Sequence, residues 1–259
     1  MSEIARLFGN RAGAYASFRP QYPSALFDWL ASNCTSHERA LDIACGNGQA
    51  SRPLLGHFRH VLACDGSPEQ LQAAPDLQGV DCFAADASAQ PLADASLDLI
   101  VVAQALHWFA TPDFFAEARR LLRPDGLLCA WCYSLLRIDD ALDAVLDDFY
   151  WNTLNGYWPA GRTSVDAGYS DIQPPFARIQ VPAFAIELEW DLQQLVGYLS
   201  TWSAVQKLEQ ASGRDPLQDL LPRLLKAWGD GQQKRFVRWP LHFLAGFPAR
   251  PHDQGKEAP

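Results

Sequence analysis

The chain has 259 residues, long enough for one large domain or two small ones, and a net charge of −9 from 21 Lys and Arg against 30 Asp and Glu. Apolar residues make up 48% and charged residues 20%, which excludes a disordered chain; the acidic excess, with no run of basic residues, argues against a nucleic acid as partner. No long apolar stretch follows Met1-Ser2-Glu3-Ile4-Ala5-Arg6, and the richest apolar run, Leu97 to Ala110, is broken by Asp98, Gln104 and His107, so neither secretion nor a membrane span is expected and the expected address is cytoplasmic.

In chain order, Ile4 to Leu30 reads as helical, interrupted by Arg19-Pro20-Gln21-Tyr22-Pro23. Strands are expected at Ala40–Cys45, Val61–Asp65, Val80–Ala84, Leu97–Ala103 and Leu127–Tyr133, alternating with helices at Gln49–Phe58, Pro68–Ala74 and Pro112–Leu122. Ser67-Pro68-Glu69-Gln70 and Thr111-Pro112-Asp113 mark two helix starts by an N-cap hydroxyl followed by proline. Strands alternating with helices imply parallel βαβ units in a sheet covered on both faces, with ligands beyond the carboxyl ends of the strands.

Further on, Leu142, Val145, Leu146 and Phe149 form one helical stripe beside an acidic face of Asp139, Asp140, Asp143, Asp147 and Asp148, read as solvated. Periodicity lapses over Asn152 to Pro175. Phe176–Glu189 reads as a strand bent at Pro182, Asp191–Val205 and Pro216–Trp228 as helices, and Arg235–Phe247 as a final strand carrying Pro240. The chain thus divides into a helical cap at 1–35, a βαβ core at 36–135, a lid insertion with the completing strands of the same domain at 136–248, and a disordered tail at 249–259; the sequence leaves the oligomeric state open, a monomer being favoured. The six cysteines read as reduced core residues, and Cys129-Ala130-Trp131-Cys132 lies in a strand, where residues three apart face opposite sides. No metal is expected.

The segment with most chemical content is Leu41-Asp42-Ile43-Ala44-Cys45-Gly46-Asn47-Gly48-Gln49, at a strand-to-helix turn. Its glycines admit a ligand close to the backbone, and the following helix N-terminus favours negative charge. Gly46 to Ser51 is one substitution from a dinucleotide fingerprint, so a nicotinamide-dependent oxidoreductase is an alternative at this point. Asp65 then ends the second strand, placed for two ribose hydroxyls. Asp86 follows the third, placed for an exocyclic adenine amine, and Gln104, His107 and Trp108 follow the fourth.

With these segments in this order, the sequence resembles the class I S-adenosylmethionine-dependent methyltransferases, and more narrowly the bacterial small-molecule group that includes trans-aconitate methyltransferase. The matching stretches include Leu41 to Gln49, Val61 to Leu71, Ala84 to Leu99 and Ala105 to Gly126, with Tyr15 to Pro23 and Thr201 to Val205 outside the core. The resemblance implies an α/β, Rossmann-like, seven-stranded, mostly parallel sheet with helices on both faces, an antiparallel last strand, and helical N-terminal and C-terminal lid elements. It also implies S-adenosyl-L-methionine as cofactor. Asp42, Gly46 and Gly48 would surround its methionine part, with Ala44 standing where the family's DxGxGxG pattern has its first glycine. Asp65, Gly66 and Ser67 would hold the ribose, Asp86 and Ala87 the adenine, and Gln104 and Ala105 would line the floor near the sulfonium. Tyr15 and Arg19 would close over the methionine carboxylate.

Direct displacement needs in-line positioning above all, and a base only where the acceptor keeps its proton. His107 is the candidate for orienting or deprotonating the acceptor, a small molecule methylated on a carboxylate or hydroxyl oxygen. Tyr22, Trp108, Tyr157, Trp158 and Trp202 are candidates for an apolar acceptor pocket, and Arg137, Arg162 and Lys207 for binding an anionic one. The segments Tyr15–Tyr22 and Tyr150–Tyr169 are expected to cover the cleft. A catalytically degenerate cofactor-binding module is a further alternative. Nucleic-acid and protein amide methylation are disfavoured, because the fourth strand ends in Ala103-Gln104-Ala105-Leu106 rather than an [DN]PP[YF] run.

Overall fold

A computed structural model describes residues 20–73 and 77–248. Seven strands build the main sheet: β1 (Arg39–Ile43), β2 (His60–Asp65), β3 (Val80–Ala84), β4 (Leu97–Ala103), β5 (Leu122–Cys132), β6 (Phe176–Arg178) and β9 (His242–Pro248), in the order β3-β2-β1-β4-β5-β9-β6. The first five are mutually parallel and β9 is antiparallel to both neighbours. This is the expected Rossmann-like arrangement. β1 and β4 are buried almost throughout, as mostly apolar strands in a sheet covered on both faces are.

Helices α1 (Ser24–Ser32), α2 (Ser51–Leu54), α3 (Pro68–Ala73) and α4 (Pro112–Leu121) belong with this sheet. The start of α4 is as expected: Thr111 Oγ1 accepts from Phe114 N at 3.3 Å, with Pro112 at the first position. The helix expected over 49–58 is shortened to the four residues of α2. Pro53 has no N–H to continue the ladder, and Leu55, Gly56 and His57 instead bond three residues back, in tight turns. The sheet unit comprises residues 22–133, 163–184 and 241–248. Val165, Tyr169, Ile172 and Phe176 join its core with Ile43, Val102, Leu106 and Phe114.

Residues 134–162 and 185–240 make a second unit. It contains α5 (Asp140–Asp148), a π-helical turn at Phe149–Thr153, strands β7 (Ala185–Trp190) and β8 (Arg235–Pro240), and helices α7 (Leu192–Ser200), α8 (Ser203–Ser212) and α9 (Leu217–Trp228); the short α6 (Arg162–Asp166) straddles the boundary. Strands β7 and β8 form a separate antiparallel pair. Two expected strands are therefore corrected. Phe176–Glu189 is β6 plus β7, and Arg235–Phe247 is β8 plus β9, each pair divided between two sheets. The prolines are the reason: Pro182 and Pro240 have no ladder donor, and at the second break Leu241 N turns to Phe184 O at 2.9 Å. Likewise Asp191–Val205 is two helices, divided near Thr201 and Trp202.

The acidic face of α5 is a salt-bridge array. Asp139 caps the helix and pairs with Arg235, Asp147 pairs with Arg137 at 2.9 Å, and Asp148 with Arg223 at 2.7 Å. Cys129 is fully buried within β5, where burial pushes its thiol well above the ordinary range.

Candidate active site

The carboxyl ends of β1, β2 and β4 bring the expected cofactor residues together. After β1 the backbone runs left-handed at Ala44 (φ 58°), Gly46 (φ 53°) and Gly48 (φ 76°). Asp42 is 1% exposed, and its Oδ2 accepts from Ser51 Oγ at 2.5 Å. Among the described residues its Oδ1, which is buried, has no hydrogen-bond partner. Burial is the main force raising the Asp42 carboxyl to about 7; the Ser51 hydroxyl opposes it and the charge of Asp65 adds to it.

Asp65 is tied to the loop. Its Oδ2 accepts from Gly46 N at 3.0 Å and its Oδ1 from Ser67 N at 2.9 Å. Gly66 is exposed, while Ser67 caps α3 by accepting from Gln70 N at 3.2 Å. Asp86 is exposed and Ala87 half-buried beyond the end of β3. Asp86 Oδ1 accepts from both Ser88 N (2.8 Å) and Ser88 Oγ (2.6 Å), which hold its carboxyl below the usual range.

Gln104 (φ 57°) has a role that its sequence position does not announce. Its Nε2 donates to Tyr133 O at 2.9 Å while its Oε1 accepts from Tyr133 N at 2.8 Å. The side chain therefore imitates a strand partner and locks the tips of β4 and β5 together. Ala105 is buried at the start of the 3-10 turn Leu106–Trp108.

His107 lies in that turn with Nδ1 3.3 Å from Tyr169 Oη, and its ring centroid is 4.8 Å from that of Trp108. Tyr169 is fully buried and left-handed (φ 61°), a conformation costly for an aromatic residue and one that clusters at functional sites. The turn that delivers it needs Gly168 (φ 60°), where a Cβ would fall 2.7 Å from the His242 ring.

His107 and Trp108 sit in the wall of a cavity of about 850 Å³. Phe115 and Arg119 of α4 line one side of it, and Asp171, Ile172 and Pro175 the other. Trp108 is 58% exposed there, a large apolar side chain left open to solvent.

Tyr15 and Arg19 fall outside the described residues. Tyr22 is buried, edge-on to Trp131 at 5.3 Å. Tyr157, Trp158 and Trp202 belong to the second unit, where Trp158 packs 4.5 Å from Tyr150 and 5.5 Å from Trp202, with the Arg162 guanidinium 4.8 Å over its ring. Arg137 pairs with Asp147, and Lys207 is exposed.

Sequence reasoning missed Ser51, Tyr169 and Arg119. Ser51 was legible only as a misfit to the dinucleotide fingerprint, and nothing in the period of α4 separates Arg119 from other surface arginines. It also missed the hold of α4 on the Asp86 loop. Gln90 N donates to Glu117 Oε1 at 2.7 Å, Gln90 Nε2 to Asp86 O at 2.6 Å, and Arg120 Nη1 to Leu92 O at 2.8 Å.

The turn after β1 fits the methionine end of the expected cofactor. A buried carboxylate oxygen on Asp42 that finds no partner among the described residues requires a donor such as an ammonium group or a water it holds, and a Cβ built on Gly46 would meet none of the described residues within 4 Å.

Comparison with known proteins agrees. The model of the methyltransferase domain family matches residues 41–130. A Dictyostelium discoideum protein assigned to the methyltransferases is 33% identical over 244 residues, covering 92% of this chain and 93% of its own length. A methyltransferase-like protein of Schizosaccharomyces pombe is 34% identical over 127 residues, about half of each chain (48% and 50%). A structure from Anaeromyxobacter dehalogenans, assigned as a type II methyltransferase, superimposes with a TM-score of 0.84 at 39% identity over 90% of this chain and 99% of that one. A methyltransferase-fold structure from Bacillus halodurans, at 18% identity and a TM-score of 0.51 over 88% and 99% of the two chains, shares the fold. The chain belongs to the class I S-adenosylmethionine-dependent methyltransferases.

Proposed function

We propose that this chain methylates a small-molecule acceptor on a carboxylate or hydroxyl oxygen, in the cytoplasm and without a nucleic-acid partner. The observation that carries the cofactor assignment is the buried Asp42 Oδ1, without a partner among the described residues, in the turn that contains Gly46. Asp42 would hold the ammonium end of S-adenosylmethionine, Asp65 its ribose hydroxyls, and Asp86 with Ala87 its adenine. When bound, the cofactor would supply a methyl group on a sulfonium, for transfer to the acceptor's lone pair with the carbon–sulfur electron pair left on sulfur.

The protein's own part is placement. The 3-10 turn after β4 sets His107 in the cavity wall, and Tyr169 Oη fixes the ring through Nδ1. With Nδ1 as the donor, Nε2 carries the lone pair and takes the proton of a hydroxyl acceptor. A carboxylate acceptor has no proton to lose, and His107 then only orients it.

Calorimetry with S-adenosylmethionine, S-adenosylhomocysteine and a nicotinamide dinucleotide tests the cofactor half. Binding of the first two and not the third is expected; the reverse would overturn the assignment and restore the oxidoreductase reading. Incubating the protein with a metabolite extract and isotopically labelled methyl donor, followed by mass spectrometry, identifies the acceptor. Label appearing only in nucleic acid or protein would refute a small-molecule acceptor.

A further inference from the structure

The cavity beside His107 has more chemical character than a generic pocket, and we propose that it takes an acceptor with a flat apolar body and an anionic group, the anion held by Arg119 at the end remote from His107. This rests on the reading of the chain as a small-molecule methyltransferase and names the class of its acceptor.

The argument begins with α4. Pro112, Phe115, Ala116 and Arg119 all line the cavity; spaced three, four and seven residues from the first, they form one face of the helix. At 1.5 Å of rise per residue, that face runs about 10 Å from Pro112 to Arg119. His107 and Trp108, just ahead of the helix, stand at the Pro112 end. The opposite wall is the segment that contains Ile172 and Pro175. Between the ends, flat apolar surface from the exposed Trp108 ring, Phe115, Ile172 and two prolines alternates with the polar side chains of Thr111, Ser164 and Gln173. An aromatic or planar body gains most from such walls, because ring contact adds to area burial. The volume of about 850 Å³ suits a drug-sized molecule rather than a small diacid.

Charge then fixes the orientation. Arg119 reaches across the cavity, donating from Nη2 to Pro175 O at 2.7 Å, so its guanidinium bridges both walls. That single bond uses one of five N–H donors in a fork shaped for carboxylate, sulfonate or phosphate. Besides His107, the other ionisable side chain in the lining is Asp171, which accepts from the Ser164 hydroxyl. An anion is therefore drawn to Arg119 and held away from Asp171, placing the acceptor's other end at His107. A molecule of this shape presents its nucleophile about 10 Å from its anionic group.

Two probes of nearly identical shape test this: 8-anilinonaphthalene-1-sulfonate and the uncharged N-phenyl-1-naphthylamine. Each is titrated into the full chain by fluorescence, with and without S-adenosylhomocysteine. The sulfonate should bind more tightly than the amine, at one site per chain. Arg119→Gln should weaken the sulfonate by about tenfold or more and move the amine by less than about twofold. Arg119→Lys should fall between, since it keeps the charge and loses the fork. Trp108→Ala should weaken both probes. Equal affinity for the two probes, an equal response of both to Arg119→Gln, or no binding to the wild type would each overturn the inference. Calorimetry with S-adenosylhomocysteine on the same samples separates the two levels. Loss of that binding in the wild type refutes the methyltransferase reading, whereas normal binding beside an Arg119-independent probe response refutes the acceptor class alone.

Discussion

Asp65, at the end of β2, accepts from the amide of Gly46, in the loop after β1, at 3.0 Å. The acid expected to hold a ribose thus also holds the loop expected to hold the methionine end. On the proposed reading, removing the carboxylate acts twice: it would delete an acceptor for the ligand, and it releases the Gly46 and Ser67 amides. Asp65→Ala should weaken S-adenosylhomocysteine binding by roughly 1.5–3 kcal/mol, the range for hydrogen bonds to charged groups. Asp65→Asn keeps one acceptor oxygen and should lose less. Calorimetry on folded variants decides; an unchanged affinity in Asp65→Ala would remove the ribose from this position.

Asp42 predicts a pH dependence. Its ordinary value in the unfolded chain is 3.8, and burial raises it to about 7 in the folded one. Between those values the folded protein holds a proton that the unfolded chain releases. The contribution from this group is fully present below 3.8 and is lost as pH rises through about 7. Urea unfolding from about pH 5 to about pH 8 should show this falling component in the wild type and its absence in Asp42→Asn. Cofactor affinity should run the other way, because the carboxylate must be anionic to receive an ammonium group. It should rise with pH through the same window in the wild type and stay flat in Asp42→Asn. Ser51→Ala removes the donor that lowers the Asp42 value, and should shift both windows upward.

Most of the sheet was legible because its strands announce themselves locally. Leu97-Asp98-Leu99-Ile100-Val101-Val102-Ala103 is apolar enough to be buried on both faces, and the observed β4 spans the expected residues. The same rules failed where a proline ends one strand and the chain starts another in a different sheet. Around Pro182 and Pro240 the alternation continues, so a local reading sees a bend or bulge where each proline in fact hands the chain from one sheet to another. Within the site, residue types carried the information for Asp42, Asp65 and the glycines, since a carboxylate or a positive φ is a local property. The amide of Gln104 pairs with Tyr133, twenty-nine residues away, and Arg119 meets Pro175 fifty-six residues away; no local period encodes such meetings.

Ala44 adopts φ 58°, where the family's pattern has glycine. A side chain in the left-handed region costs about 1–2 kcal/mol, whereas glycine adds roughly 0.4–1 kcal/mol of unfolded-state entropy. Ala44→Gly should therefore stabilise the fold by about 0.5–1 kcal/mol net. A β-branched residue is worse in this conformation than alanine, so Ala44→Val should destabilise. The denaturant midpoint should rise for the first and fall for the second with little change in slope. A lower midpoint for Ala44→Gly would mean that the methyl group's packing outweighs its backbone strain.

The last prediction concerns α4, whose two faces make different contacts. One face lines the cavity through Phe115 and Arg119. The other holds the Asp86 loop: Glu117 accepts from Gln90 N at 2.7 Å, and Arg120 donates to Leu92 O at 2.8 Å and to Gln90 O at 3.2 Å. The Arg120 hydrogen bond keeps the Glu117 carboxyl below its usual range, so this contribution is present above that range and is lost as pH falls through the folded value. Neither residue is assigned a ligand contact, so both are positioning residues for the adenine end. Arg120→Ala frees the loop's carbonyls and should raise the Michaelis constant for S-adenosylmethionine by about tenfold, the cost of re-ordering a loop on binding. It should leave kcat at saturating cofactor and the binding of 8-anilinonaphthalene-1-sulfonate within about twofold of wild type. Arg120→Lys should restore part of the loss, since one ammonium group reaches one of the two carbonyls. If both kinetic constants and probe binding fall together, α4 has shifted as a whole, and the separation of its two faces is wrong.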